Sequence, residues 1–434
     1  LRITRDNQVT VIVAESEMGQ GPYTLMPMMV AEELEVAWET IKVERASVDP
    51  VYGYQITGGS SSIRKGWGTL RQAGAIAREI LIASAAKKLS IPAAEMFAEN
   101  GNVVHETTAT RVSYGDLVTA TTDIPIPDSV SLKEPHEFKI IGKAVHRKDA
   151  AEKIDGSAIY GIDVRLPGQL YATVIHCPVF GGRVRSFDKN DALKIKGAID
   201  VFEINEGIAL VAQDTWAAFE MVRALEVEWD FGDNQNISYQ SIVDHIKESV
   251  QATPSKEIDK VVDSEIFDRP ETSVESNYLQ PFHAHMTMEP MNCTAHFRDD
   301  GDLVIWAPTQ SPSAAYDAAR DLTQTMIERG IKKIGHKVVG GYDDSITINT
   351  TLLGGGFGRR ARQDYVSEAV QVAEHFDKPV QLVWSREEDV QHDFYHPMTF
   401  HEMKGVLDED GMPVGWQHII KGAGVNTSGA SHLY

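Results

Sequence analysis

The sequence predicts an α+β chain in which two stretches of one domain, built of mixed sheets and helices, flank a smaller inserted α+β unit. Three observations lead there. Towards both ends, alternating apolar runs hand over to helical spacing through loops of small residues, at 17–22, 57–62, 307–312 and 354–360. At 124–128 the run Ile-Pro-Ile-Pro-Asp interrupts this pattern, and short strands follow it. A length of 434 residues exceeds one core and fits about two or three domains. The expected division is 1–123, the first part of the larger domain; 124–136, a linker; 137–235, the inserted unit; 236–264, a connector; and 265–434, the larger domain continued.

The composition is that of an ordinary globular chain, 42% hydrophobic and 24% charged. Net charge is 41 − 63 = −22, which argues against nucleic acid or an anionic membrane as partner. Cys177 and Cys293 are the two cysteines, too few for an iron–sulfur cluster, which takes about four thiolates. No apolar run approaches the ~18 residues of a membrane span. The chain opens on Leu1 and stops at Tyr434 amid glycine and serine, and is expected to be part of a longer protein.

In order, 9–13 alternates as a strand and leads through Glu17-Met18-Gly19-Gln20-Gly21 to Pro22, a good first residue for a helix carrying Leu25, Met29 and Leu34. Ile41, Val43 and Ala46 suggest another strand. Thr57-Gly58-Gly59-Ser60-Ser61-Ser62, followed by Arg64 and Lys65, could cradle a phosphate, although a polar loop alone would read the same way. A helix over 69–89 follows. In the inserted unit, strands are expected at 159–164, 170–175, 198–203, 208–212 and 226–229, with a helix at 215–225. His176 would point to the opposite strand face from Cys177, which therefore reads as a buried structural thiol.

After 265, His283 and His285 share a strand face, and His392 and His396 are four apart, but neither pair has a third ligand or the glutamate of a zinc helix. No metal is expected on protein side chains. A strand at 303–306 passes through Pro308-Thr309-Gln310-Ser311-Pro312 into a helix. Residues 404–406 and 414–420, joined by Asp408-Glu409-Asp410-Gly411, read as a hairpin.

The central loop is 354–360, GGGFGRR, between a strand at 345–350 and a helix marked by Tyr365, Ala369, Val372 and Phe376. Three consecutive glycines leave backbone bare for a bulky ligand, next to a helix N-terminus that favours an anion. Arg359, Arg360 and Arg362 add positive charge. A dinucleotide fingerprint fits only loosely, from Gly356 through Gly358 to Ala361, and the next strand ends in Ser385 where an acid is wanted. A phosphate-binding P-loop fails for lack of a Gly-Lys-Ser/Thr. One large anionic ligand touching every small-residue loop is the economical explanation.

GGGFGRR with the following QDYVSEA, the run WSREED with HDFY, EMGQG at 17–21, TGGSSS at 57–62, HAHMTMEP at 283–290 and PTQSP at 308–312 together resemble the molybdenum hydroxylases, the xanthine oxidase and aldehyde oxidase family. The branch most similar is that of isoquinoline 1-oxidoreductase beta (large) subunits. Asp149-Ala150 to Gly156, Tyr160 to Asp163 and PVFGG at 178–182 resemble the family's hammerhead domain. The resemblance covers nearly the whole chain.

It implies a molybdopterin cytosine dinucleotide cofactor with molybdenum held by the pterin. It also implies water-derived hydroxylation of an N-heteroaromatic such as isoquinoline, with electrons leaving through two [2Fe–2S] clusters on a separate small subunit. By position, Gln310 would hydrogen-bond the metal's oxo group, with Phe357 beside it at the catalytic centre. Gly355, Gly356, Phe357, Gly358 and Arg359 would line the metal side. Gly19, Gln20 and Gly21, with Gly59, Ser60, Ser61 and Ser62, would hold the pterin and its phosphates. The family's general base is a glutamate in a Gly-Glu-Pro segment. The Glu-Pro pairs here, Glu134-Pro135 and Glu289-Pro290, do not follow a glycine, so the base is expected beyond Tyr434 and this stretch alone is expected to be inactive. Aldehyde oxidation with the same cofactor is the alternative, and a cofactor-free relic a second. Members of the family often carry an export signal upstream, so the resemblance allows either periplasm or cytoplasm.

Overall fold

A computed structural model describes residues 1–248, 264–268, 272–330, 338–339 and 342–422. Contacts divide the chain into two units. The first comprises 1–172, 211–215 and 287–383, and the second 173–210, 216–286 and 384–434.

Two parallel strand pairs organise the first unit. Val9–Val13 runs parallel to Lys42–Arg45, with Val13 opposite Arg45, and the helix Pro22–Leu34 lies between them in sequence. A parallel pair needs such a crossover, because its strands cannot be joined by a tight turn. The helix packs along Ser62–Leu89, and both contribute to a core that includes Val9, Val11, Val13, Leu34, Leu81 and Tyr114. The second pair is Leu303–Ala307 with Ile346–Thr350, Ala307 opposite Thr350, and its crossover contains the helix Pro312–Glu328. Asn292–Phe297 extends this sheet antiparallel from Leu303–Ala307, followed by Val380–Val383, which in turn pairs in parallel with Leu170–Ala172. The helix Asp364–Ala373 is almost wholly buried: Tyr365, Val366, Ala369, Val370, Val372 and Ala373 are fully covered.

An antiparallel meander, Met96–Glu99, Asn102–His105 and Thr110–Ser113, has no counterpart among the sequence expectations. Residues 133–141 are pinned to the first helix by two buried carboxylates. Glu32 accepts from the backbone of Lys139, Ile140 and Ile141, and Glu33 from the backbone of Lys133 and from Arg71.

In the second unit, Arg183–Asp188 pairs antiparallel with Glu226–Asp230. Ser273–Gln280, Thr399–Leu407 and Pro413–Gly422 form an antiparallel sheet in which Lys404 faces Gln417, so the expected hairpin is present and longer than its apolar pattern indicated. A helix at Tyr239–Glu248 occupies part of the expected connector.

The architecture is thus α+β with mixed sheets. One expected strand is absent: at 159–164 the chain makes a short 3-10 turn, Gly161–Asp163. Tertiary bonds overrule the alternation there. Ile162 donates its N–H to the Glu289 carboxylate at 2.9 Å, and Gly161 lies so close to Asn292 and Pro308 that an added Cβ would meet them at 2.4 and 2.5 Å. The helix expected from 69 begins at Ser62, directly after the hydroxyl-rich loop.

Candidate functional site

The parallel pairings explain why four separate loops meet. Neighbouring parallel strands end side by side, so the loops leaving their C-terminal ends emerge together. Val13 and Arg45 send out the loops that reach Gln20 and Gly59, while Ala307 and Thr350 send out those that reach Gln310 and Gly356. Direct bonds join the two sets. Thr57 donates its N–H to the Gln310 carbonyl at 2.8 Å, and Leu353 donates to the Glu17 carbonyl at 3.2 Å.

Together these loops line a cavity of about 490 Å³. Of the expected residues, Gln20, Gly59, Ser60, Ser61, Ser62, Gln310, Phe357 and Gly358 line it. Gly19, Gly21, Gly355, Gly356 and Arg359 belong to the same loops but do not line it. Thr57 and Gly58 of the expected phosphate cradle and Met18 of EMGQG line it too, as do Pro22, Leu25 and Ile63, which had no ligand role among the expectations.

Two helix N-termini contribute to the wall. Pro22–Leu34 starts from Gly21, whose φ of 89° suits a residue without Cβ, but its first donors are taken: Pro22 has no N–H, Tyr23 donates to Glu17, and Thr24 to the Gly21 carbonyl. Ser62–Leu89 starts from Ser61 without a side-chain cap bond, and the Ser61 hydroxyl donates to the Gly58 carbonyl. An uncapped helix start offers N–H groups and a partial positive charge to an anion. The Ser60, Ser61 and Ser62 hydroxyls stand beside it.

Gln310 is 2% exposed and ties the loops together with its amide. Its Oε1 accepts the Gly358 N–H at 2.9 Å, and its Nε2 donates one hydrogen to the Thr57 carbonyl at 2.9 Å. The amide nitrogen carries a second N–H, and Gln310 lines the cavity. Phe357, at φ 57° and 66% exposed, is an unusual non-glycine residue in the left-handed region and presents an aromatic surface there.

The Gly19–Gly21 turn is shaped from behind by Glu17, 1% exposed. Its carboxylate accepts from the N–H groups of Gly19 at 2.7 Å, Gly21 at 3.2 Å and Tyr23 at 3.4 Å. Arg147 reaches the same turn, donating to the Gly19 carbonyl at 2.9 Å and to Glu17 at 3.3 Å. Arg147 is itself held by Asp149 through two bonds of 2.9 and 2.8 Å. Burial raises the Asp149 pKa, but the hydrogen bonds and charges of Arg147 and Lys153 outweigh it and bring the group down to about 2.

The arginines of GGGFGRR need correcting. Arg359 and Arg360 are 1% and 0% exposed and do not offer charge to a ligand. Arg359 forms a two-pronged pair with Asp364, at 2.8 and 2.7 Å. Arg360 donates to the carbonyls of Gly355, Pro308, Glu289 and Pro290. Arg360 thus ties the loop's backbone at Gly355 to the 289–290 and 308 segments, a task that a planar, multi-donor guanidinium performs well.

Among the described residues, one group of possible metal ligands comes close together: His176, Glu388 and His392, in the second unit. The rings of His176 and His392 stack at 4.0 Å with 8° between their planes. A metal lies in the plane of each imidazole that binds it, and two parallel planes share no point. Glu388 accepts from His176 Nδ1 at 2.6 Å, as a hydrogen-bond partner. Cys177 and Cys293 are buried free thiols, and burial pushes Cys293 well above the usual thiol range.

Two family profiles described as molybdopterin cofactor-binding domains match this chain, one over residues 1–164 and the other over 248–431. The beta chain of isoquinoline 1-oxidoreductase from Brevundimonas diminuta is 27% identical over 97% of this chain and 58% of its own length. A protein of Gluconacetobacter polyoxogenes, named membrane-bound aldehyde dehydrogenase [pyrroloquinoline-quinone], is 29% identical over 94% of this chain and 52% of its own. One of the subunits of nicotinate dehydrogenase from Pseudomonas putida is 24% identical over 95% of this chain and 34% of its own. The chain therefore spans between about a third and three fifths of these relatives. No described helix is long and apolar enough to cross a membrane. With loops from both matched segments around one cavity, this chain belongs to the molybdenum hydroxylase family and carries its molybdopterin cofactor-binding domains.

Proposed function

We propose that the chain holds a molybdopterin cytosine dinucleotide within the large subunit of an enzyme that hydroxylates an N-heteroaromatic such as isoquinoline, using oxygen from water. Electrons would pass to a separate subunit with two [2Fe–2S] clusters, in keeping with the two cysteines of this chain. The convergence of 17–22, 57–63, Gln310 and 357–358 on one cavity carries this proposal. The donor set suits a polyanionic ligand: one uncapped helix N-terminus at Ser62, the Ser60 and Ser62 hydroxyls, and backbone left bare by glycine. The residues present therefore fit such a group.

When bound, the cofactor supplies the redox chemistry, while the protein supplies position and hydrogen bonds. In this assignment the 59–62 loop and the helix start at Ser62 would hold phosphate oxygens. Gln20 would place its amide against the pterin, and the second Nε2 hydrogen of Gln310 would be available to an oxygen on the metal side. Phe357 and Gly358 border the substrate side and exclude water from it. The region 137–235 is proposed as a hammerhead-like unit. Aldehyde oxidation is a second possibility, favoured by the near-equal identity to the Gluconacetobacter protein.

The test is metal and nucleotide analysis of the full-length protein, made with its iron–sulfur partner in a host that synthesises the cofactor. Near-stoichiometric molybdenum, and cytidine monophosphate released by acid, are expected. Pure folded protein with neither would sink the proposal. Turnover of isoquinoline against an aliphatic aldehyde, in water enriched in oxygen-18, separates the two reactions.

A further inference from the structure

Glu289 lies directly behind the glycine loop, with its side chain 5% exposed. One carboxylate oxygen accepts from Ile162 N–H and from Asn292 Nδ2, each at 2.9 Å. The other accepts from Gly354 N–H at 2.8 Å and from Arg360 Nη2 at 3.3 Å. The Glu289 backbone adds a bond in each direction: its N–H donates to the Gly354 carbonyl at 3.1 Å, and its carbonyl accepts from Arg360 at 2.6 Å. The fit is close enough that an added Cβ on Gly354 would lie 2.4 Å from Glu289 Cβ.

Four donors leave this carboxylate no oxygen directed at a substrate, and Glu289 does not line the cavity. Glu17 supplies a parallel, since it accepts three backbone N–H groups behind the Gly19–Gly21 turn. In both places a loop made of glycine, which has little to hold its own shape, is held by a buried carboxylate on the side away from the cavity.

We propose that Glu289 is a positioning residue that fixes the 354–358 loop in its cavity-lining conformation. By holding Gly354 and Arg360 it sets where Phe357 and the Gly358 N–H stand relative to Gln310. That the fixed loop then retains a molybdopterin cofactor rests on the function proposed above. The clamp itself does not.

The decisive variant is Glu289→Gln, which keeps shape and volume but puts an NH₂ against N–H donors. Hydrogen exchange is compared by peptide in the full-length protein, together with molybdenum per chain. The expected result is exchange about tenfold faster or more across 354–358, with the 96–113 meander unchanged, and loss of most bound molybdenum. Gly354→Ala presses on the same contact from the other side and should give the same local loosening, covering the case in which Glu289→Gln does not fold. Unchanged exchange at 354–358, or an equal rise in the meander, would overturn the clamp. Wild-type protein without molybdenum would overturn the cofactor assignment, while the exchange comparison still decides the clamp.

Discussion

A side chain on Gly356 would place its Cβ 2.7 Å from Gln310 Oε1, so Gln310 holds its position only because residue 356 has none. The Met18 sulfur would be equally close. The middle glycine of the loop is thereby explained by a partner 46 residues upstream.

Gly356→Ala should therefore displace the Gln310 amide and break its bonds to Gly358 and Thr57. Leaving buried backbone groups unpaired costs about 1–3 kcal/mol each. A fall in thermal stability of several degrees, with loss of bound molybdenum in the full-length protein, is the expected outcome. A variant as stable and as metal-rich as wild type would show that the loop has room to shift.

Gln310→Ala removes the cross-link and, in the proposed enzyme, a donor to the reacting centre. Turnover per bound molybdenum should drop on the order of 10²-fold, as for other single donors lost where charge develops. Cofactor retention should fall as well, because the same amide joins the 57–59 and 354–358 loops. Unaltered turnover per molybdenum would remove Gln310 from the reacting centre and leave it as a strut.

Arg359 and Asp364 form a buried pair, and Asp364→Asn would remove the carboxylate charge from it. Breaking one side of such a pair costs roughly 3–5 kcal/mol when it is fully buried, and the 18% exposure of Asp364 should bring the cost towards the lower end. Chemical denaturation should show this loss. A midpoint unchanged from wild type would contradict the packing described for the double arginine.

Asp149 predicts an acid sensitivity. Its folded pKa of about 2 lies below the ~3.9 of an unfolded aspartate. The stability it contributes is present above about pH 4 and is lost as pH falls through 4 towards 2. Melting curves of wild type and Asp149→Asn across pH 2–7 should converge in that window, with the variant weaker above it. Parallel curves throughout would mean that Arg147 and Lys153 do not hold this carboxylate. The same ion pair supports Arg147 against Gly19, so the loop at Gln20 should loosen with it.

Much of this molecule can be read from its sequence. Strands at Val9–Val13, Leu303–Ala307 and Ile346–Thr350, and the helices after them, follow from side-chain periodicity, which is a local property. So do the small-residue loops, because glycine and serine mark themselves. The 159–164 segment reads as a strand because its alternation is genuine, but its Ile162 N–H goes to Glu289 and its Gly161, Ile162 and Val164 carbonyls accept from the Gln381 side chain in place of a strand ladder. Glu17 and Glu289 carry no mark of a clamp, since what they hold in the glycine loops are backbone N–H groups, which every residue but proline has and no letter of the sequence distinguishes. Arg359 and Arg360 look like ligands for an anion because charge is visible in sequence and burial is not. Local composition is thus enough to say which segments are loops with bare backbone. That Val13 pairs with Arg45 and Ala307 with Thr350 is a property of the folded chain alone. Parallel pairing joins residues far apart in sequence, and it is what brings those loops to one cavity.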